Sequence, residues 1–158
     1  VARKTASLIA AATRIGALLG NALEEKEEAL AQFGMDIGIA FQLVDDNLDY
    51  TSNEEEFGKK IGIDLQDGKI TLPLIFALNQ CREGERAFVR KTVESHPITK
   101  GNFFRVLEII NRYQGVQYTW GRAKEYVNRA KGYLRLFPES RDREGLEALA
   151  DYVLKRRL

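Results

Sequence analysis

Between residues 24 and 50, Leu30, Phe33, Ile37, Phe41, Val44 and Leu48 recur at steps of three and four. That period draws one continuous apolar stripe along a helix of about seven turns. The stripe is core. Elsewhere no stretch alternates apolar and polar residues long enough to make a strand, and only 3 prolines occur in 158 residues. The spacing predicts helices over 2–22, 24–50, 72–82, 84–95, 99–114, 116–136 and 142–156. Together they make an all-α helical bundle. The first helix is apolar nearly all round, as an element buried among other helices should be, and its Gly16 and Gly20 suit close packing. Thr71 is a candidate N-cap, with Pro73 in the first turn of the next helix.

Composition narrows the class further. With 44% hydrophobic residues the chain can bury one sizeable core, and it is too short for two independent domains. Lys plus Arg (24) balances Asp plus Glu (23), so nothing favours nucleic acid or an anionic membrane as partner. No apolar run approaches the ~18 residues that span a bilayer, and no signal peptide is visible. The single Cys81 cannot form an internal disulfide and reads as a packing residue in a reducing, cytoplasmic setting. His96 precedes a proline in an expected loop and reads as a surface residue. Trp120 and the tyrosines at 113, 118, 126, 133 and 152 read as packing groups, with a subunit contact as a further role. The helical pattern is already under way at Val1, so the sequence reads as truncated.

Chemistry concentrates in residues 44–73, VDDNLDYTSNEEEFGKKIGIDLQDGKITLP. Asp45 and Asp49 lie one turn apart on the helix surface, about 40° from each other, and Gln42 and Gly38 continue the same strip backwards. This strip borders the apolar stripe, so its carboxylates should open toward an interior or a cleft. Like charges at this spacing repel, and anions at a helix C-terminus oppose its dipole. Something positive should compensate. Lys59, Lys60 and Lys69 are near in sequence, and Mg²⁺ takes one or two carboxylates together with waters and phosphate oxygens. The pattern suggests a metal-bridged phosphate or diphosphate site, in a loop (51–70) long enough to be functional. The plain alternative is a frayed acidic helix end at the surface. A calcium loop is a rival, with Asp45, Asn47, Asp49, Thr51 and Glu56 at its ligand positions. Its sixth position, however, is Tyr50 where that loop needs glycine.

FQLVDDNLDY followed by GKKIGIDLQDGKITLPL closely resembles the second aspartate-rich region of the trans-isoprenyl diphosphate synthases, the polyprenyl synthetase family. The match extends upstream through RKTASL and downstream across the terminal helices, covering essentially the whole chain. Its tone is nearest the long-chain, octaprenyl-type members that make quinone side chains. The resemblance implies an isoprenoid-synthase-type helical bundle, with residues 1–158 as the C-terminal part of a single synthase domain and no second domain.

The resemblance also implies Mg²⁺ as cofactor, an allylic prenyl diphosphate and isopentenyl diphosphate as substrates, and a homodimer. Asp45 is then the expected magnesium ligand, supported by Asp46 and Asp49. Lys4 and Thr5 match a pair that contacts the allylic diphosphate, and Gln42 matches a glutamine one turn before the triplet. Lys59 or Lys60, and Lys69, match further diphosphate contacts, and Phe41 matches an aromatic near the isopentenyl group. Among these, Asp45, Lys4 and Lys69 are the expected catalytic groups. The family's first aspartate-rich motif is absent from these residues, so the chain alone is expected to be inactive. The alternatives are a noncatalytic metal- or partner-binding helical subunit and a purely structural domain. A terpene cyclase shares the fold type, but the lysine-glycine block favours the transferase.

Overall fold

The computed structural model describes residues 5–51, 62–95 and 97–156, and no strand occurs among them. Its helices are α1 (Ser7–Leu19), α2 (Glu24–Thr51), α3 (Ile63–Gln66), α4 (Leu72–Gln80), α5 (Glu83–Glu94), α6 (Lys100–Arg112), α7 (Gly115–Tyr133) and α8 (Arg141–Lys155). The all-α expectation holds for the described residues, and each predicted helix has a counterpart. No helix among them is long and apolar enough to cross a membrane. The described residues form two compact units, one through Val44 and from Gly121 onward, the other Asp45–Trp120.

In the first unit, α2 opens with Glu24, Glu25 and Glu27, which suit the positive end of the helix dipole. Its glycines meet α1: a Cβ on Gly38 would stand 2.4 Å from Ala6 Cα, and one on Gly34 would stand 2.8 Å from Ala10 Cα. Only hydrogen fits there, so the two backbones approach closely. Gly16 and Gly20, expected to do this work, do not. Gly16 has nothing within 4 Å, and Gly20 ends α1 just before Asn21, whose φ of 49° is left-handed.

α1 also departs from burial on all sides. Ala10 and Ala17 are buried, whereas Leu8, Ile15, Leu18 and Leu19 are exposed. α2 departs in the opposite sense. Ala29, Ala31, Asp36, Ala40 and Leu43 are buried along with Phe33, Ile37 and Val44, so this helix is enclosed on more than the predicted stripe. Asp36 is 1% exposed and accepts bonds of 2.5 and 2.6 Å from the Arg129 guanidinium of α7. A charge so enclosed is tolerated only because a planar fork meets both of its oxygens.

The second unit closes around Tyr50, Leu65, Leu74, Val89, Phe103, Val106 and Ile110. The predicted loop 51–70 contains a short helix, α3, placed by Gly62. Gly62 has φ 74°, its N–H donates to Asp49 O at 2.9 Å, and a Cβ there would lie 2.0 Å from the Phe103 ring. Thr71 does precede α4, with Pro73 in the first turn, but its hydroxyl donates to Tyr50 Oη at 3.0 Å and makes no cap. Cys81 is buried, in keeping with a packing role. Tyr113 donates to Glu85 at 2.7 Å, Tyr118 stacks on Phe76 at 3.9 Å, and Trp120 packs on the core. Tyr126, in the first unit, lies under Arg129, while Tyr152 there is exposed and departs from the packing expectation. His96 lies outside the described residues.

Candidate functional site

Of the expected site residues, Lys4, Lys59 and Lys60 lie outside the described residues. Thr5, Phe41 and Gln42 belong to the first unit and Asp45, Asp46, Asp49 and Lys69 to the second.

In the first unit, Thr5 Oγ1 donates to Gln42 Oε1 at 3.2 Å, which joins an expected diphosphate contact to the expected glutamine one turn before the triplet, across 37 residues of sequence. Both side chains are half-buried, so the pair keeps an accessible edge. The Phe41 ring carries the Arg156 guanidinium 4.0 Å from its centroid, a cation resting on a negative π face. Phe41 is half-buried, neither sealed in the core nor free of it.

In the second unit, α2 stays helical through Thr51, so Asp45, Asp46 and Asp49 all project from regular helix. This excludes the calcium loop, whose ligand positions would have to leave helical geometry. Asp46 is 5% exposed, and Asp45 and Asp49 are half-buried. The carboxylates therefore do not stand in bulk water. Asp49 accepts bonds from the backbone N–H groups of Ile63 (3.0 Å) and Asp64 (3.1 Å). Gly62 has no side chain to cap α3, and Asp49 supplies the missing acceptor from another helix. Burial pushes the Asp49 carboxyl up to about 6 from its ordinary 3.8, and the neighbouring Asp64 charge adds to this. The two N–H groups and Lys69 offset it only in part.

Lys69 was one of three lysines expected to supply part of the compensating charge. Its direct ion pairs are with Asp64 Oδ1 at 2.8 Å and Asp67 Oδ2 at 3.3 Å. Those two carboxylates, which raise the lysine's pKa, are nearer to it in sequence and claim its charge.

Sequence reasoning gave no role to Asp64, Asn47 or Asp36. Asp64 stood in the quoted GIDLQDGK block, and that was the available signal. Asn47 is fully buried, its amide donates to Val116 O at 3.1 Å, and its Oδ1 has no hydrogen-bond partner among the described residues.

Among the described residues no group of three or more metal-ligating side chains converges tightly enough to hold an ion by itself. The oxygen-only donor set at the end of α2 fits instead a hard cation that takes one or two carboxylates and completes its shell with water and phosphate. A separate groove of about 430 Å³, lined by Phe76, Gln80, Arg112, Tyr113, Gln114 and Tyr118, contains none of the expected site residues.

Comparison with known proteins bears on the same stretch. The family model described as polyprenyl synthetase matches residues 1–110. The chain is 39% identical over 154 residues to a short chain isoprenyl diphosphate synthase of Methanothermobacter thermautotrophicus, covering 98% of this chain and 47% of that protein. It is 36% identical over 147 residues to an octaprenyl diphosphate synthase of Haemophilus influenzae, covering 93% of this chain and 44% of that protein. Its structure resembles that of a Caulobacter crescentus polyprenyl synthase complexed with calcium and isoprenyl diphosphate. The TM-score is 0.89 at 39% identity, over 98% of this chain and 47% of that one. The chain thus spans about half the length of the relatives it matches. With a family model matched over residues 1–110 and the all-helical fold shared with solved polyprenyl synthases, the chain belongs to the polyprenyl synthetase family.

Proposed function

We propose that this chain supplies the cation- and diphosphate-holding side of a prenyltransferase. The enzyme joins isopentenyl diphosphate head-to-tail to an allylic prenyl diphosphate. The observation that carries the reading is the gathering of Asp45, Asp46 and Asp49 at one sheltered helix end, in a chain of this family. A long polyprenyl product for a quinone side chain, a cytoplasmic setting and a homodimer belong to the same reading.

In this account Asp45 is the principal ligand of Mg²⁺, with Asp46 and Asp49 supporting it directly or through water. Mg²⁺, when bound, supplies Lewis-acid neutralisation of the departing diphosphate. Lys4, Thr5, one of Lys59 and Lys60, and Lys69 contact the diphosphate oxygens. Lys69 exchanges Asp64 and Asp67 for phosphate as it does so. Thr5 holds Gln42, and Phe41 shields the isopentenyl side from water with Arg156 fixed against its ring. The allylic C1–O bond breaks, the isopentenyl double bond attacks C1, and loss of a proton regenerates an allylic diphosphate five carbons longer. Catalysis then rests on electrostatic stabilisation of the leaving group, and no side-chain nucleophile is needed.

The test is calorimetric titration of the chain with farnesyl diphosphate, with and without Mg²⁺, beside an elongation assay with isopentenyl diphosphate. Binding that requires Mg²⁺ and vanishes in Asp45→Ala, without elongation by the chain alone, is the expected result. Binding of equal strength in the absence of Mg²⁺, or unchanged by Asp45→Ala, would overturn the reading.

A further inference from the structure

The end of α2 that carries the aspartates is held from behind by polar contacts, and Asn47 makes one of them. In helical geometry Asn47 stands about 200° around the axis from both Asp45 and Asp49, with Tyr50 about 60° from it. Asn47 is 0% exposed, and its Nδ2 donates to Val116 O in the first turn of α7 at 3.1 Å. Tyr50 Oη accepts from Thr71 Oγ1, just ahead of α4, at 3.0 Å. Between these two points α4 and α7 meet: a Cβ on Gly115 would stand 2.2 Å from Pro73 O, so only hydrogen fits. The contacts close a ring from α2 to α7 to α4 and back to α2, all inside the second unit.

Burial alone does not explain the ring. Asn47 Oδ1 has no hydrogen-bond partner among the described residues. The acceptor at Val116 is a carbonyl, so the bonded end of the amide is its nitrogen and the orphan is its oxygen. Thr119, one turn along α7 and equally buried, gives its hydroxyl proton to Gly115 O instead. A buried, unmet amide oxygen is a cost that an apolar side chain of the same branching would avoid. Stability therefore does not account for an asparagine here, whereas direction does. Apolar contacts are non-directional and tolerate rotation, while an N–H···O bond weakens steeply off its line. We propose that Asn47 is a positioning residue, which fixes the rotation of the α2 end from its rear face and so aims Asp45 and Asp49 as a pair at the cation and diphosphate. The inference rests on the proposed function for the identity of the ligands, while the lock itself belongs to the free protein.

The experiment compares the chain with Asn47→Leu, which keeps the branching and removes both the bond and the orphan, with Asn47→Ala, which leaves space instead of filling it, and with Val89→Ala, a core truncation in the same unit outside the ring. Calorimetry with inorganic pyrophosphate and Mg²⁺ should show affinity lower by about tenfold or more in both Asn47 variants. Val89→Ala should melt at a lower temperature and bind as wild type does. A second readout needs no ligand: the Ile63 and Asp64 amide signals report the Asp49 carboxylate to which they donate, and they should move in both Asn47 variants and stay in Val89→Ala. Wild-type affinity in both Asn47 variants, a loss that Val89→Ala reproduces, or unmoved Ile63 and Asp64 signals would each overturn the positioning role. A wild-type chain that binds no pyrophosphate counts against the proposed function, and the amide signals then decide the role of Asn47 by themselves.

Discussion

In the metal-free protein, Asp49 should make stability fall as pH rises from about 4 to about 6, and replacing it by Asn should remove that fall. The folded-state pKa of about 6 lies above the ordinary 3.8, so between these values the folded chain holds a proton that the unfolded chain has released. Unfolding then releases a proton, and stability decreases with pH. The contribution is fully present below about 4 and gone above about 6. A two-unit shift corresponds to at most about 3 kcal/mol. Asp49 is only half-buried, so solvent screening reduces this to about 1 kcal/mol. The assay is urea unfolding followed by helical circular dichroism at pH 4.5, 5.5, 6.5 and 7.5 in the presence of a chelator. The wild-type curve minus the Asp49→Asn curve isolates this group from every other carboxylate. A difference that declines across the window and then levels is expected. A flat difference, or one that rises with pH, would refute the reasoning that burial and Asp64 disfavour the charge.

Other perturbations read the packing. Gly38→Val should lower stability by about 1–3 kcal/mol, because its Cβ would enter the space of Ala6 Cα at 2.4 Å; an unshifted melting temperature would contradict the close approach of α1 and α2. Gly62→Ala should cost at least about 1 kcal/mol in urea unfolding, from its φ of 74° and the Phe103 ring together, and a neutral result would contradict the Gly62 turn. Arg129→Ala leaves Asp36 buried without its guanidinium and should cost about 2–3 kcal/mol, toward the lower end for such pairs because the arginine side chain is 57% exposed. A thermal melt matching wild type would show the pair to be dispensable.

The long helix and its acidic end were legible because periodicity is a local property: steps of three and four along residues 24–50 need no partner to be recognised. α3 was not. It is four residues long, inside a glycine-rich stretch, and its position depends on an acceptor on another helix, Asp49, and on the burial of Leu65. The glycines show the same limit. Gly16 and Gly20 have the spacing of Gly34 and Gly38, and only the tertiary partner decides which pair carries the close contact. Asp36 reads as a solvated charge until Arg129, 93 residues away, is brought against it. Likewise the apolar surroundings of α1 pointed to burial on all sides, while within these residues it is covered on one side only. For the site, the triplet and the Thr5–Gln42 pair were legible as motif residues, and the diversion of Lys69 to Asp64 and Asp67 depended on how the turn folds.

The central claim is that the end of α2 takes a divalent cation together with a diphosphate. Its most direct test is an amide NMR titration of the chain with inorganic pyrophosphate, with Mg²⁺ present and then absent. The account predicts shifts at Asp45–Asp49 and at Ile63 and Asp64, whose N–H groups Asp49 holds, only when both components are present. Shifts elsewhere with these amides silent, or the same shifts with pyrophosphate alone, would contradict it.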